Sequence, residues 1–181
     1  MRTLWQITGT DALPFLQGLV SNDVLPLKNR GIVYAALLSP QGKYLADFFV
    51  VNTGDALLID IAEPLATATL RRLTMYKLRA DVQITPVDMP VASGVGHVPD
   101  GAFIDPRTPA MGWRAYGMAQ SQAVDWDALR VAHLVPEAGR ELIPDDSYIL
   151  EMGFERLHGV DFLATPLANV GQVERINAIS F

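Results

Sequence analysis

Gly31-Ile-Val-Tyr-Ala-Ala-Leu-Leu38, Ser39-Pro-Gln-Gly-Lys43 and Tyr44-Leu-Ala-Asp-Phe-Phe-Val-Val51 follow one another without a gap. The outer two segments are apolar runs of strand length, and the middle one carries Pro and Gly where a turn needs them, so the stretch predicts a β-hairpin. Thr53-Gly-Asp55 then turns into a third apolar run, Ala56-Leu-Leu-Ile-Asp-Ile61. Upstream, Thr3-Leu-Trp-Gln-Ile7 alternates as a short strand. Thr10 or Asp11 is placed to cap a helix over 12–20, with Leu13, Leu16, Leu19 and Val20 on one face and Pro14 in its first turn. Downstream, Pro64 opens a helix over 65–78, followed by a strand over 80–84. The expectation is an antiparallel sheet of strands near 32–38, 44–51 and 56–61, backed by both helices. This is an α+β fold, with no parallel doubly wound sheet.

The second half repeats this grammar more weakly. Strands are expected within 91–98, 101–104 and 112–116, a loop at 106–109, and a helix over 125–133 with Trp126 and Leu129 inward. No low-complexity tract or linker divides the chain.

Bulk composition narrows the function. Of 181 residues, 50% are hydrophobic and 19% charged, which excludes global disorder. A net charge of −6 argues against nucleic acid, whose binding rests on phosphate neutralisation. Arg71, Arg72, Lys77 and Arg79 read as a solvated helix face. Cysteine is absent, so thiolate chemistry, disulfides and cysteine-held metals are excluded within the sequence. His97, His133 and His158 are too scattered to form a local metal site. Residues 1–15 lack the apolar stretch of a signal peptide and no run approaches membrane-helix length, so the expected setting is cytoplasmic, away from membrane.

No phosphate loop is present, because Gly94-Val-Gly96 lacks the third glycine and the helix signal. Asp145 and Asp146 read as a polar turn. Three features stand out. Asp47 interrupts an apolar strand, and alternation puts it beside Leu45, Phe49 and Val51. A carboxylate there needs an arginine, a backbone N–H or a ligand's nitrogen donors. Glu151, in Ile149-Leu-Glu-Met-Gly153, is similarly flanked, and Gly153 permits close approach. Trp113 and Arg114, with Tyr116, supply an aromatic and a forked cation, either as core packing with a surface salt bridge or as ligand contacts.

Several motifs then resemble YgfZ-type proteins in family order. Asp11-Ala-Leu-Pro-Phe-Leu-Gln-Gly-Leu-Val-Ser-Asn-Asp-Val24 resembles their opening helix. The Pro-Gln-Gly-Lys turn at 40–43 is the most specific part. Tyr76-Lys-Leu-Arg-Ala-Asp-Val82, Gly112-Trp-Arg114, Pro136-Glu-Ala-Gly-Arg140 and Gly153-Phe-Glu-Arg-Leu-His-Gly-Val-Asp-Phe162 follow. The resemblance covers about residues 1–162, as two interlocked subdomains near 1–85 and 86–162. It implies a fold similar to the folate-binding half of glycine-cleavage T-proteins, a pocket for tetrahydrofolate, and a role in maturation or repair of iron–sulfur enzymes. By that resemblance Asp47 stands where T-protein relatives carry two adjacent acids, one of them meeting the pterin, and Glu151 where they carry a folate-contacting glutamate.

The divergent tail, 163–181, departs from the pattern. Aligning Val170-Gly-Gln172 puts Pro166, Leu167, Ala168 and Asn169 where the family has Lys, Gly, Cys and Tyr. The family's reactive cysteine is replaced, and its barrel-like carboxy-terminal domain is expected to be absent. The first expectation is therefore a tetrahydrofolate-binding accessory protein of iron–sulfur maturation, with iron–sulfur enzymes or assembly proteins as partners. A T-protein-like one-carbon transferase and a non-catalytic interaction module are the alternatives.

Overall fold

The computed structural model describes residues 1–163, so the divergent tail lies, from 164 onward, outside the described residues. Eight strands form two sheets. β1 (Arg2–Thr8), β2 (Gly31–Leu38), β3 (Tyr44–Asn52), β4 (Leu57–Ala62) and β5 (Gln83–Val87) make a five-stranded sheet in the order β2-β3-β4-β1-β5, with every pair antiparallel. β6 (Val91–Gly94), β7 (Phe103–Ile104) and β8 (Trp113–Tyr116) make a second antiparallel sheet, ordered β6-β8-β7. The α+β fold and the hairpin that decided it are as expected.

Both faces of the large sheet are buried, which explains why β3 is an almost unbroken apolar run. On one face α1 (Ala12–Gln17) and α2 (Glu63–Lys77) pack Leu16 and Leu73 against Phe48, Val50, Ile59 and Ile61. On the other, Phe49, Val51 and Leu58 meet Phe103, Met111 and the segment carrying Ile149, Phe154 and Leu157. Trp126 and Leu129 of α3 (Trp126–Ala132) pack inward against this second cluster, as the sequence predicts.

Three local expectations differ from the structure. α1 stops at Gln17, because Val20 leaves the helix to bridge Leu37 on β2. No side chain caps it: the Asp11 carboxylate accepts from the Asp81 backbone N–H, and Thr10 donates twice to the Asp81 carboxylate. Strand β5 lies over 83–87, shifted from 80–84. It is an edge strand, which tolerates Pro86 opposite Trp5.

The opposite edge, β2, is clasped. Ser21 Oγ accepts from the Ala36 N–H and donates to the Gly159 carbonyl, while Asn22 Nδ2 donates to the carbonyls of Tyr34 and His158. The Asp161 N–H closes the clasp on the Ser21 carbonyl.

Candidate functional site

A bulge sets the floor of the site. β2 and β3 pair Leu37 with Ala46 and then Leu38 with Tyr44, so Leu45 is the extra residue. Leu45 consequently packs on the helix-covered face, and Tyr44 turns onto the face of Asp47, Phe49 and Val51. Simple alternation puts Leu45 beside Asp47, and the bulge reverses that one assignment. Tyr44 now donates to Asp47 Oδ1 at 2.5 Å, and Tyr34, from the neighbouring strand, donates to Oδ2 at 3.0 Å. Burial first, and the Asp47 charge second, push both phenols well above their ordinary range, which fixes them as protonated donors. The partners that this half-buried carboxylate finds are tyrosines, neither arginine nor backbone.

Beside it lies a layer of three guanidiniums around the Phe49 ring. Arg114, Arg107 and Arg2 sit 4.2, 5.0 and 5.4 Å from its centroid. Arg2 donates to Asp60 Oδ1 and to the Asp60 carbonyl, both at 2.6 Å. Arg107 forks onto Asp105 at 2.9 and 2.7 Å. Arg114 lies between the two acids, 3.6 Å from Asp60 and 3.5 Å from Asp105, and the Tyr116 hydroxyl donates to Asp60 at 2.9 Å. Burial alone would raise the Asp105 pKa, but the hydrogen bonds and charge of Arg107, with the charge of Arg114, hold it below the usual carboxylate range. Burial pulls Arg114 below the ordinary guanidinium range, and the nearby Arg2 adds to that.

This layer floors a cavity of about 350 Å³. Arg2, Asp47, Arg107 and Arg114 line it from below, and Trp126, with Arg130 and the Val135–Ala138 stretch, lines its rim. A smaller cavity of about 200 Å³ adjoins it, sharing Arg2, Met111, Arg114 and Trp126 and adding Ser93 and Trp113. Trp113 fits there because Gly94 and Gly112 leave room. A Cβ on Gly94 would stand 2.5 Å from the indole ring, and one on Gly112, at φ +72°, would stand 1.9 Å from the Gly94 carbonyl oxygen. Glycine at 94 therefore serves packing, consistent with rejecting a phosphate loop.

Of the four residues picked from sequence, Asp47 and Arg114 line the same cavity, and Trp113 borders the adjoining one. Arg114 makes buried ion pairs, in place of the expected surface salt bridge. Glu151 is exposed and lines a neighbouring groove, which shares Arg130, Val135 and Pro136 with the main cavity but does not include Asp47. Sequence reasoning missed Arg2, Asp60, Asp105 and Arg107. Asp60 carried a usable signal: it interrupts an apolar strand as Asp47 does. Among the described residues, no cluster of His, Asp and Glu has the makings of a metal site.

Fold and site together define an α+β domain with a polar, charge-lined cavity over an antiparallel sheet. Sequence comparison gives the lineage. The iron–sulfur cluster assembly factor IBA57 homologue of Mycosarcoma maydis is 26% identical over 194 residues, covering 89% of this chain and 48% of its own length. The chain is similar to IBA57 proteins, which are of the YgfZ family, and it spans about half the length of the curated relatives it matches. An aminomethyltransferase of Bacillus licheniformis is 49% identical over 45 residues, 25% of this chain and 12% of its own. The solved glycine cleavage system aminomethyltransferase T of Bartonella henselae aligns with 50% of this chain and 25% of its own, at TM-score 0.46 and 19% identity. No family model matches the sequence.

Proposed function

We propose that this chain is a tetrahydrofolate-binding module of iron–sulfur protein maturation, holding the pterin over Asp47. The observation that carries the folate part is the Asp47 carboxylate, fixed by two tyrosine hydroxyls at the floor of a cavity of about 350 Å³. That volume lies in the range of small-molecule sites, roughly 300–1,000 Å³. A pterin presents adjacent N–H donors, and a carboxylate with free lone pairs accepts such donors well. The role in maturation is supported by similarity to iron–sulfur cluster assembly factors along 89% of the chain. Its partners in that role are assembly proteins or client enzymes.

Bound tetrahydrofolate would supply one-carbon carrying capacity; the residues here bind and orient it. Tyr34 and Tyr44 hold the carboxylate in place, and Phe49 backs the cavity floor. A one-carbon transferase is the second reading, favoured by the 45-residue match to an aminomethyltransferase. Turnover of a folate adduct by the purified chain would put it first.

Calorimetry with tetrahydrofolate tests the primary reading. The wild type binds, and Asp47→Asn weakens binding by about 1.5–3 kcal/mol, the worth of charge-assisted hydrogen bonds. No binding to a folded wild type would refute the folate assignment.

A further inference from the structure

Arg114 differs from its two neighbours in how its donors are used. Arg2 and Arg107 make hydrogen bonds of 2.6 to 2.9 Å to Asp60 and Asp105. Arg114 makes no hydrogen bond among the described residues, its closest acceptors lying 3.5 and 3.6 Å away. Its Nε is buried without a hydrogen bond, 3.5 Å from Asp105 Oδ2, and the indole Nε1 of Trp113 is buried without a hydrogen-bond partner. Buried donors in folded proteins nearly always have partners, so two orphans on consecutive residues call for one. Both side chains border the same cavity of about 200 Å³, and its other walls are largely apolar: Met111 and Trp126, with Ser93 opposite. Arg2 and Arg107 hold Asp60 and Asp105 by direct hydrogen bonds, which leaves Arg114 with only the longer contacts at this end.

We propose that this small cavity is a carboxylate subsite, with Arg114 as the principal donor and the Trp113 N–H as an auxiliary one. The planar fork of a guanidinium matches two carboxylate oxygens, and the aromatic walls keep water from weakening the contact. The subsite opens onto the cavity floored by Asp47 through the shared residues Arg2, Met111 and Arg114. A molecule reaching both therefore presents N–H donors at one end and a carboxylate at the other. The inference rests on the folate reading only for which molecule carries the carboxylate: the folate itself or a separate small acid.

Tryptophan fluorescence reads the subsite, because two of the three tryptophans, Trp113 and Trp126, line it while Trp5 lies in the other core cluster. The full chain is titrated with acetate, with tetrahydrofolate, and with a tetrahydropterin lacking the aminobenzoyl-glutamate. Acetate is expected to give a saturable change, weakened at least tenfold in Arg114→Met and in Ser93→Asp, which adds a repelling charge at a partly exposed position. If the folate's own carboxylate occupies the subsite, tetrahydrofolate competes with acetate and loses its advantage over the tetrahydropterin in both variants. If a separate acid occupies it, acetate and tetrahydrofolate bind together. Unchanged acetate and folate binding in both folded variants overturns the subsite while leaving the folate reading intact. Acetate binding without tetrahydrofolate binding refutes the folate reading and keeps the subsite. Equal quenching by inorganic phosphate overturns the assignment to carboxylate.

Discussion

Asp60→Asn tests whether the charged layer beneath the cavity is a buried, interdependent unit. Asp60 is fully buried and serves three partners: Arg2 at 2.6 Å, the Tyr116 hydroxyl at 2.9 Å and Arg114 at 3.6 Å. The amide keeps the shape but removes the charge, and its NH2 points a donor at a donor on one side. Arg2 then loses its ion pair, and Arg114 is left with Asp105, 3.5 Å away. Removing one partner of a buried ion pair costs about 3–5 kcal/mol, because the remaining charge stays desolvated. With a urea slope of roughly 2 kcal/mol per molar, the unfolding midpoint falls by about 1.5–2.5 M. Urea titration followed by far-ultraviolet circular dichroism measures it. Asp145→Asn is the control, since its contact with Arg72 spans 3.9 Å on the surface, and it leaves the midpoint unmoved. A loss below about 1 kcal/mol in Asp60→Asn would mean that water already solvates these arginines. The buried-layer description would then be wrong.

Acid stability follows from Asp105. Its folded pKa is depressed, so the unfolded chain binds the proton more readily; the stabilisation is present above the unfolded value of about 3.9 and is lost as pH falls through the lower folded value. Acid titration of the midpoint should show that loss below about pH 4, and Asp105→Asn should flatten it. Gly94→Ala drives a methyl into the Trp113 ring, with Gln122 also within 2.7 Å, and overpacking of this kind costs about 1–3 kcal/mol. Its indole emission should shift as well, and an unaltered spectrum with unchanged stability would refute the tight fit.

The large sheet was legible because its strands are long, apolar and separated by strong turn residues. Strands 31–38 and 44–51 needed no tertiary information. The bulge at Leu45 was not legible: both neighbours are hydrophobic, so nothing local marks which one is extra. That single residue decides whether Tyr44 joins Tyr34 on Asp47. The end of α1 was misjudged because Leu19 and Val20 continue the helical pattern, while the bridge from Val20 to Leu37 depends on a strand further along. Asp11 looked like a cap, yet its carboxylate is taken by the Asp81 N–H, 70 residues away. The arginine layer was hidden for the same reason: Arg2 and Asp60 are 58 residues apart and meet only through the pairing of β1 with β4. Asp60 alone could have been found, by the same argument that singled out Asp47.

The clasp on β2 has a kinetic consequence. Besides their bonds to β2, Ser21 and Asn22 receive partners from residues 158–161, up to 140 positions later in the chain. During synthesis the hairpin can form long before that cover exists, so the strand edge is held only by Val20, Ser21 and Asn22 until residue 161 has cleared the ribosome. An uncovered edge is a template for pairing with another chain, and contacts so distant in sequence close slowly. The interval before closure is when the nascent chain is most open to such pairing. Docking of residues 158–161 marks the end of that interval.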